Sequence, residues 1–492
     1  MEPITLNTKQ SDALNKIKQF VVQDKESHFY LFGYAGTGKS FIARHIVNEL
    51  INDNMIDQVY ICAPTHTALN VIECYFEANA QKESNKKISF MTIHKLLEFR
   101  PIISNENGEQ VFKSTFASRF LKPGGRKLVI IDECSMIPKE IVDSLSQYQA
   151  KIIFLGDPAQ LPPVREKSSI IFTNISTDYF YHIVLDEIMR TKSDDIKKIA
   201  NIVRKWGEFK NPENELIKVH NEGSGKFHLY YKGTKHHDSK WFKSYIRKLN
   251  AGQSPIILTW KNETADYYNK LIRQHIHKIT DYTNDFIIND HAMFTKYYKA
   301  VLSSGDLKPN IYFYTSNIIK IISITAKKRT IVHWSKLKLK DVKTNADIAF
   351  NKLLLKLDKF PREFNINIYE VSRNNGIDHN LYYVKMISYQ DSENYRKMMI
   401  NVREHLEHFY FTHKSDRLSN KLWDEFHGSL REPYAELSFG YSITTHKSQG
   451  STFSAVMVDL VDICDNPNED EAMKALYTAS TRGADDLSLM VD

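Results

Sequence analysis

Eight residues, Gly33 to Ser40 (GYAGTGKS), have the types and spacing to hold an anion. An apolar, aromatic run precedes them and a helical pattern follows, the setting in which G-x-x-x-x-G-K-S acts as a phosphate loop. Gly33, Gly36 and Gly38 let successive backbone N–H groups turn inward, and the helix N-terminus adds positive potential. Lys39 then offers a point charge to the outer phosphates, and the Ser40 hydroxyl an inner ligand for Mg²⁺. A glycine-rich turn that matches by accident is the bland alternative, and the flanking elements argue against it. The chain is expected to bind a nucleoside triphosphate.

Two further stretches supply the groups that hydrolysis needs. IIDECSM puts Asp132 and Glu133 at the end of an apolar run, where ligands of open α/β sheets bind. There Asp132 suits Mg²⁺ through its water shell, and Glu133 suits orienting and deprotonating a water. LGDPAQLPPV puts Asp157 and Gln160 on the turn after the next run, where an amide senses a terminal phosphate without changing charge. Arg190, ending LDEIMR, and Arg482, ending LYTASTR, are placed to stabilise a transferring phosphoryl group. A lone arginine is more often a surface ion pair, so Arg190 rests on the company it keeps.

A third set suits a nucleic-acid backbone. APTHTA (63–68), MTIHKLL (91–97) and TTHKSQGSTF (444–453) place Thr and His at or near strand-to-helix turns. Hydroxyls, imidazoles and helix N-terminal amides are common phosphate-backbone contacts, although each fragment alone also reads as a helix N-cap. Phe99, Phe112, Tyr297, Tyr298 and Trp334 have the chemistry to stack on bases, with core packing the alternative for each. KYYK (296–299) and SKLKLK (335–340) either track a polyanion or form solvated strand faces.

These groups need a scaffold, and the apolar pattern gives one. Thr5, Asn7 or Thr8 can cap a helix over 5–22. FYLFG, QVYICAPT, KLVIIDE and KIIFLGD are near-continuous apolar runs, as strands buried on both faces of a parallel sheet are. A second alternating block takes in HIVLDEI, helices near 193–208 and 262–276, PIILTW, LSFGYSITTH, SAVMVDL, a helix near 470–482 and DLSLMV. An insert at 285–435 interrupts it with short antiparallel-type strands (NIIKIISIT, RTIVHW, FNINIYEVSR, HNLYYVKMIS), then helices at 391–411 and 419–430. A smaller insert spans 99–126.

Composition narrows the class. The 492 residues suggest about three domains. Hydrophobic and charged contents of 42% and 25% are those of a folded soluble chain. A net charge of +7 permits a polyanionic partner without demanding one. Cys62, Cys74, Cys134 and Cys464 show no C-x-x-C spacing, so neither a zinc ribbon nor a disulfide framework is expected. With no signal peptide or membrane-length apolar run, a reducing, cytoplasmic setting is expected, which a virus- or phage-encoded protein acting in its host cell would share.

Taken in order, the stretches resemble superfamily 1B helicases, the 5′-to-3′ class, most of all the phage Dda type and more distantly the RecD-like and Pif-type enzymes. LNTKQ resembles the Q motif, GYAGTGKS motif I, APTHTA Ia, MTIHKLL Ib, IIDECSM II and LGDPAQLPPV III; Arg190 resembles the motif IV arginine, YSITTHKSQGSTF motif V and LYTASTRG motif VI. The resemblance implies an α/β fold of two RecA-like parallel-sheet domains. Domain 1A would span 1–98 and 127–180, and domain 2A 181–284 and 436–492. A β-hairpin pin, 1B, would span 99–126, and an SH3-like barrel with helical elaboration, 2B, 285–435. It implies ATP and Mg²⁺ in the cleft, with Gln10, Gly33, Ala35, Gly36, Thr37, Gly38, Lys39, Ser40 and Gly450 around the nucleotide and Ser40 and Asp132 at the metal. Lys39, Glu133, Gln160, Arg190 and Arg482 would be catalytic. Pro64, Thr65, His66, Thr92, His94, Phe112, Thr445 and His446 would contact DNA, Phe112 as the pin residue.

The implied partners are single-stranded DNA and forked or tailed duplex, with single-strand-binding or replication proteins as further candidates, a monomeric or weakly self-associating chain, and no membrane. The implied activity is ATP-driven unwinding; a DNA-stimulated ATPase that remodels protein–nucleic acid complexes would use the same motifs. A regulator holding ATP as a structural ligand would need neither Glu133, Gln160 nor Arg482, and a metabolic kinase would not need motifs Ia, V and VI.

Overall fold

The computed structural model describes residues 6–23, 26–77, 87–103, 110–114, 118–163, 166–173, 181–189, 191–232, 239–278, 285–304, 311–330, 332–373 and 380–491, with backbone alone at 74–75, 77, 100–103, 110–114 and 330. Two compact units divide it: residues 1–99, 114–272 and 441–492 in the first, and 100–113 with 273–440 in the second.

The chain opens on α1 (Thr8–Val22). Its start is fixed by a capping box in which the Asn7 side chain accepts from the Gln10 N–H and the Gln10 side chain from the Asn7 N–H, so Asn7 is the cap among the three candidates. Then come β1 (His28–Gly33), α2 (Lys39–Asn52), β2 (Gln58–Ala63), α3 (His66–Glu77), β3 (Ile88–Thr92) and α4 (Ile93–Leu96). β4 (Phe99–Ile103) and β5 (Gln110–Ser114) pair as a two-stranded sheet, and β6 (Lys127–Ile131), α5 (Lys139–Leu145), β7 (Lys151–Gly156) and β8 (His182–Leu185) complete the block.

Six parallel strands run in the order β3-β2-β6-β7-β1-β8. Alternation within β6 shows why its run is unbroken. Leu128 and Ile130 join the core with Ile17, Phe20 and Ile46, while Val129 and Ile131 join another with Phe32, Cys62 and Phe154. Burying each such side chain contributes about 1.5–3 kcal/mol, so both faces must be covered.

The second parallel sheet uses α6 (Asp194–Arg204), α7 (Pro212–Glu222), β9 (Phe227–Tyr231), α8 (Lys240–Asn250), β10 (Ile256–Thr259) and α9 (Asn262–His277). The insert follows: β11 (His291–Phe294), β12 (Tyr298–Leu302), β13 (Ile311–Phe313), β14 (Ile318–Thr330), α10 (Asn345–Leu357), β15 (Glu363–Arg373), β16 (Leu381–Ile387), α11 (Tyr389–His413), α12 (Asp416–Glu425) and β17 (Leu437–Phe439). The chain then returns with β18 (Ser442–Thr444), β19 (Phe453–Asp459), α13 (Leu460–Cys464), α14 (Glu469–Ser480) and β20 (Gly483–Val491), giving the order β18-β10-β19-β20-β9.

In the insert, antiparallel strands run β13-β12-β16-β15-β14-β11-β17, and α10, α11 and α12 pack Phe350, Leu406 and Trp423 over Phe364 and Ile366. At its start, Arg273 and Asp290, both fully buried, pair through two guanidinium nitrogens at 2.8–3.1 Å.

The sequence reading needs four corrections. HIVL (182–185) is not in the second block: it pairs in parallel with β1, Tyr30 opposite His182. LSFGYSIT is two strands, β17 against β11 in the insert and β18 against β10 in the second sheet. Gly440 sits at the break, where an added Cβ would lie 3.3 Å from the Ala292 backbone. RTIVHW is not a separate strand, because β14 runs through Thr330 and Trp334 opens a short 3₁₀ turn. SKLKLK is likewise no strand: Leu337 and Leu339 pack on the helical core while Lys338 and Lys340 face water. The helices α7, α8 and α10 and the strand β9 are among the additions to the expected elements. Among the described residues, no helix is long and apolar enough to cross a membrane.

Candidate nucleotide site

The phosphate loop joins β1 to α2 as expected. Gly36 (φ 80°) and Gly38 (φ 84°) adopt left-handed backbone that side chains resist. At Gly33 an added Cβ would meet the Leu185 carbonyl at 2.6 Å. α2 starts at Lys39 with no side-chain cap, so its first N–H groups stay available to an anion. Lys39 Nζ donates to the Gly33 and Tyr34 carbonyls at 2.9 and 3.0 Å, and the Thr37 hydroxyl also donates to Tyr34 O. The ammonium is thus held beside the cradle by neutral acceptors that a phosphate oxygen can replace.

Ser40 Oγ donates to Asp132 Oδ2 at 2.8 Å. Burial, then the neighbouring Glu133 charge, push the Asp132 carboxyl up to about 6, against the Ser40 hydroxyl and Lys39, which favour its anion. No cluster of three or more His, Cys, Asp or Glu suited to a metal occurs among the described residues. Ser40 and Asp132 offer two oxygens side by side, which suits Mg²⁺, an ion that takes one or two protein oxygens and fills its other positions with phosphates and water. Glu133 is half-buried in left-handed backbone (φ 52°), a conformation that stores strain at functional sites.

Gln10 reaches the loop from α1. It is buried, and its Nε2 lies 3.4 Å from Thr37 O while its Oε1 accepts from Asn7 N. Gln160 is buried on the turn after β7, and its Oε1 accepts from Arg482 Nη2 at 3.2 Å. Arg482 is 1% exposed and also donates to the Thr478 and Ser451 carbonyls. Groups from both parallel sheets therefore meet beside the phosphate loop. Arg190 lies outside the described residues.

Two groups went unforeseen. Tyr477 on α14 accepts from the Ala35 N–H and donates to Asp157, and Arg204 at the end of α6 binds Asp157 and lies over the Tyr34 ring. LYTASTR contains Tyr477, but no local pattern marks Arg204.

The expected backbone-contact residues fall partly together. Ala63 pairs with Thr92, which sets Pro64, Thr65 and His66 beside Thr92 and His94 at the ends of β2 and β3. Thr65 Oγ1 accepts from Ala68 N and Thr92 Oγ1 from Lys95 N, so both hydroxyls also cap helices. Burial, then Lys95 and His94, lower His66 to about 4. His446 packs its ring 4.9 Å from Trp260. Thr445 is fully buried and donates its hydroxyl to Thr259 O, because β18 continues its ladder against β10 there. Gly450 (φ 78°) comes within 3.2 Å of Ala68, measured from an added Cβ. Among the aromatics, Tyr298 and Trp334 are core, Phe99 is 9% exposed against His94, and Tyr297 is 57% exposed and stacks on Tyr312. The side chain of Phe112 lies outside the described residues, although its backbone is in β5.

Two family models match the chain. A family model described as AAA domain matches residues 18–166, and one described as UvrD-like helicase C-terminal domain matches 439–490. The chain is 44% identical to protein R530 of Acanthamoeba polyphaga mimivirus over 501 residues, covering 99% of this chain and all of that one. It is 24% identical to the ATP-dependent DNA helicase dda of Enterobacteria phage T4 over 323 residues, 64% of this chain and 66% of that one. Among solved structures, the Pif1 helicase of Candida albicans aligns with 100% of this chain and 95% of its own at 15% identity and a TM-score of 0.49.

Proposed function

The chain belongs to the superfamily 1B helicases of the Dda and Pif1 type, and on that premise we propose that it hydrolyses ATP to move 5′-to-3′ along single-stranded DNA and separate the duplex ahead. The observation that carries the reading is that the first sheet presents Lys39, Ser40 and Asp132 at the phosphate loop while Arg482 and Tyr477 from the second bond Gln160 and the loop's Ala35. A binder of ATP needs no arginine from a second sheet; a hydrolase that couples cleavage to closure does.

Lys39 would hold the outer phosphates, and Ser40 with Asp132 would hold Mg²⁺. The metal would neutralise charge on the β- and γ-phosphates. Glu133 would orient the attacking water and take its proton, Gln160 would sense the γ-phosphate, and Arg482, with Arg190, would stabilise charge on the transferred group. Gln10 would read the adenine edge. Hydrolysis would release Arg482 and let the two sheets part. The grips at Pro64, Thr65, His66, Thr92 and His94 and at His446 would then alternate along the strand. Thr445, buried beside His446, would serve that second grip through its backbone and by holding the turn. The β4–β5 hairpin, with Phe112, would split the duplex. Binding should weaken with salt as phosphate contacts release counterions.

The deciding experiment uses labelled duplexes carrying only a 5′ or only a 3′ single-stranded tail, with ATP and Mg²⁺. Displacement from the 5′ tail alone is expected. Displacement from the 3′ tail would overturn the direction, and DNA-stimulated hydrolysis without displacement would establish a remodelling ATPase instead.

A further inference from the structure

The Asp157 carboxylate is fully buried and both its oxygens are engaged. Oδ1 accepts from Arg204 Nη1 and from the Ala159 N–H at 3.1 Å, and Oδ2 accepts from the Tyr477 hydroxyl at 2.7 Å. That hydroxyl in turn accepts from Arg204 Nη1 at 3.0 Å and from the Ala35 N–H at 3.1 Å. A phenol has one proton to give and two lone pairs, so the Tyr477 oxygen is saturated. The Arg204 guanidinium lies 3.9 Å over the Tyr34 ring and 5.3 Å from that of Tyr477.

Both ends of this network act on groups that face the nucleotide. Tyr34 and Ala35 are the second and third residues of the phosphate loop, and the Tyr34 carbonyl holds Lys39 Nζ. Asp157 shapes the turn that presents Gln160, since Gln160 N donates to Asp157 O at 3.1 Å. Tyr477 shares α14 with Thr478, whose hydroxyl accepts from Leu161 N, and Arg482 follows directly. Arg204, ending α6, packs this helix by its own element and reaches the other sheet by its guanidinium.

We propose that Arg204 is a positioning residue for ATP hydrolysis: with Asp157 and Tyr477 it forms a buried clasp that sets the Tyr34–Ala35 turn and the Gln160 turn in register with Arg482. The proposal rests on the hydrolase reading above. A planar, always-charged guanidinium suits it, because one group bonds a carboxylate, bonds a phenol and stacks on a ring. Displacements near 1 Å in such supports cost about 10²-fold in rate.

A plain ion pair would behave differently. Buried pairs can often be replaced by uncharged side chains with little loss, whereas removing one partner strands the other. The full chain is therefore compared with Arg204→Lys, Arg204→Met and Arg204→Met/Asp157→Asn. Thermal midpoint, affinity for a fluorescent ADP analogue, and kcat and KM for ATP with oligo-dT are measured. For Arg204→Met, kcat should fall about 10²-fold with little change in ADP affinity. The double variant should recover the thermal midpoint without recovering kcat, and Arg204→Lys, keeping charge but not the fork, should fall between. Recovery of kcat together with the midpoint would overturn the proposal, as would a normal kcat in Arg204→Met. A wild-type chain that fails to hydrolyse ATP on oligo-dT would instead overturn the hydrolase reading, and the clasp with it.

Discussion

Arg482 Nη2 donates to Gln160 Oε1 at 3.2 Å, joining a residue that follows the last helix to one on the turn after β7. The arginine is buried with two further carbonyls as acceptors, so its charge is desolvated and fixed in place. On the proposed function, a charge held this way would act on a phosphoryl group in low dielectric, where it is worth most. Arg482→Lys keeps the charge but loses the geometry, and Arg482→Ala loses both. Steady-state assays should show ATP hydrolysis down by about 10³-fold or more in Arg482→Ala and substantially in Arg482→Lys. Hydrolysis close to wild type in both would show that another group stabilises the transferred phosphoryl.

Lys39 makes a different contribution. Its ammonium rests on the Gly33 and Tyr34 carbonyls of its own loop and adds little to packing between the sheets. Lys39→Ala should therefore leave the thermal midpoint almost unmoved. Hydrolysis should fall by about 10²–10³-fold, as for loss of one preorganised donor. Fluorescence anisotropy should still show single-stranded DNA binding, since no proposed backbone grip includes this residue.

How much of this was readable in the chain depends on how local each cause is. The phosphate loop is eight contiguous residues whose glycines and helix start are a property of that segment, so Gly36, Gly38, Lys39 and Ser40 fall where the spacing put them. The strands of the first sheet were readable because burial on both faces forces unbroken apolar runs such as Leu128–Ile131. Partner choice was not. HIVL is four residues long and suits either sheet edge; only the tertiary fold sets it against β1. Gly440 looked like one residue within a strand because a switch of sheets leaves no mark on hydrophobic alternation. α10 was in principle visible, with Thr344 as cap and Phe350, Leu354 and Leu357 at helical spacing, but lysines and leucines nearby suggested a strand period. Arg204 had no signal at all, since its partners lie 47 and 273 residues away.

Gly450 tests the approach of the second sheet to α3. Its backbone is left-handed, and an added Cβ would sit 3.2 Å from the N, Cα and Cβ of Ala68. Nothing in a helix backbone can yield as a side chain would. Gly450→Ala should destabilise the chain by about 1–3 kcal/mol, from backbone strain and displacement of the loop. Urea unfolding measures this. An unchanged midpoint would mean that the loop relaxes away from α3 without loss.

Acid should weaken the insert through His291. Burial, and then Lys320 directly across the strand pair, push its imidazolium form down to about 4, while the Asp290 carboxylate pulls the other way. The unfolded chain protonates this ring near 6.5, so below that value protons bind the unfolded state preferentially. The sign follows: the contribution is complete above pH 6.5 and is lost as pH falls from there through 4. It amounts to about 2 kcal/mol lost by pH 5 for a fully expressed shift of this size. Carboxylates and His66 also titrate in acid, so the comparison must be with a variant. Chemical denaturation at pH 7.5 and pH 5 should show His291→Gln losing less stability than the wild type between the two. Equal losses would mean that the ring reaches water in the folded state and carries no part of the acid sensitivity.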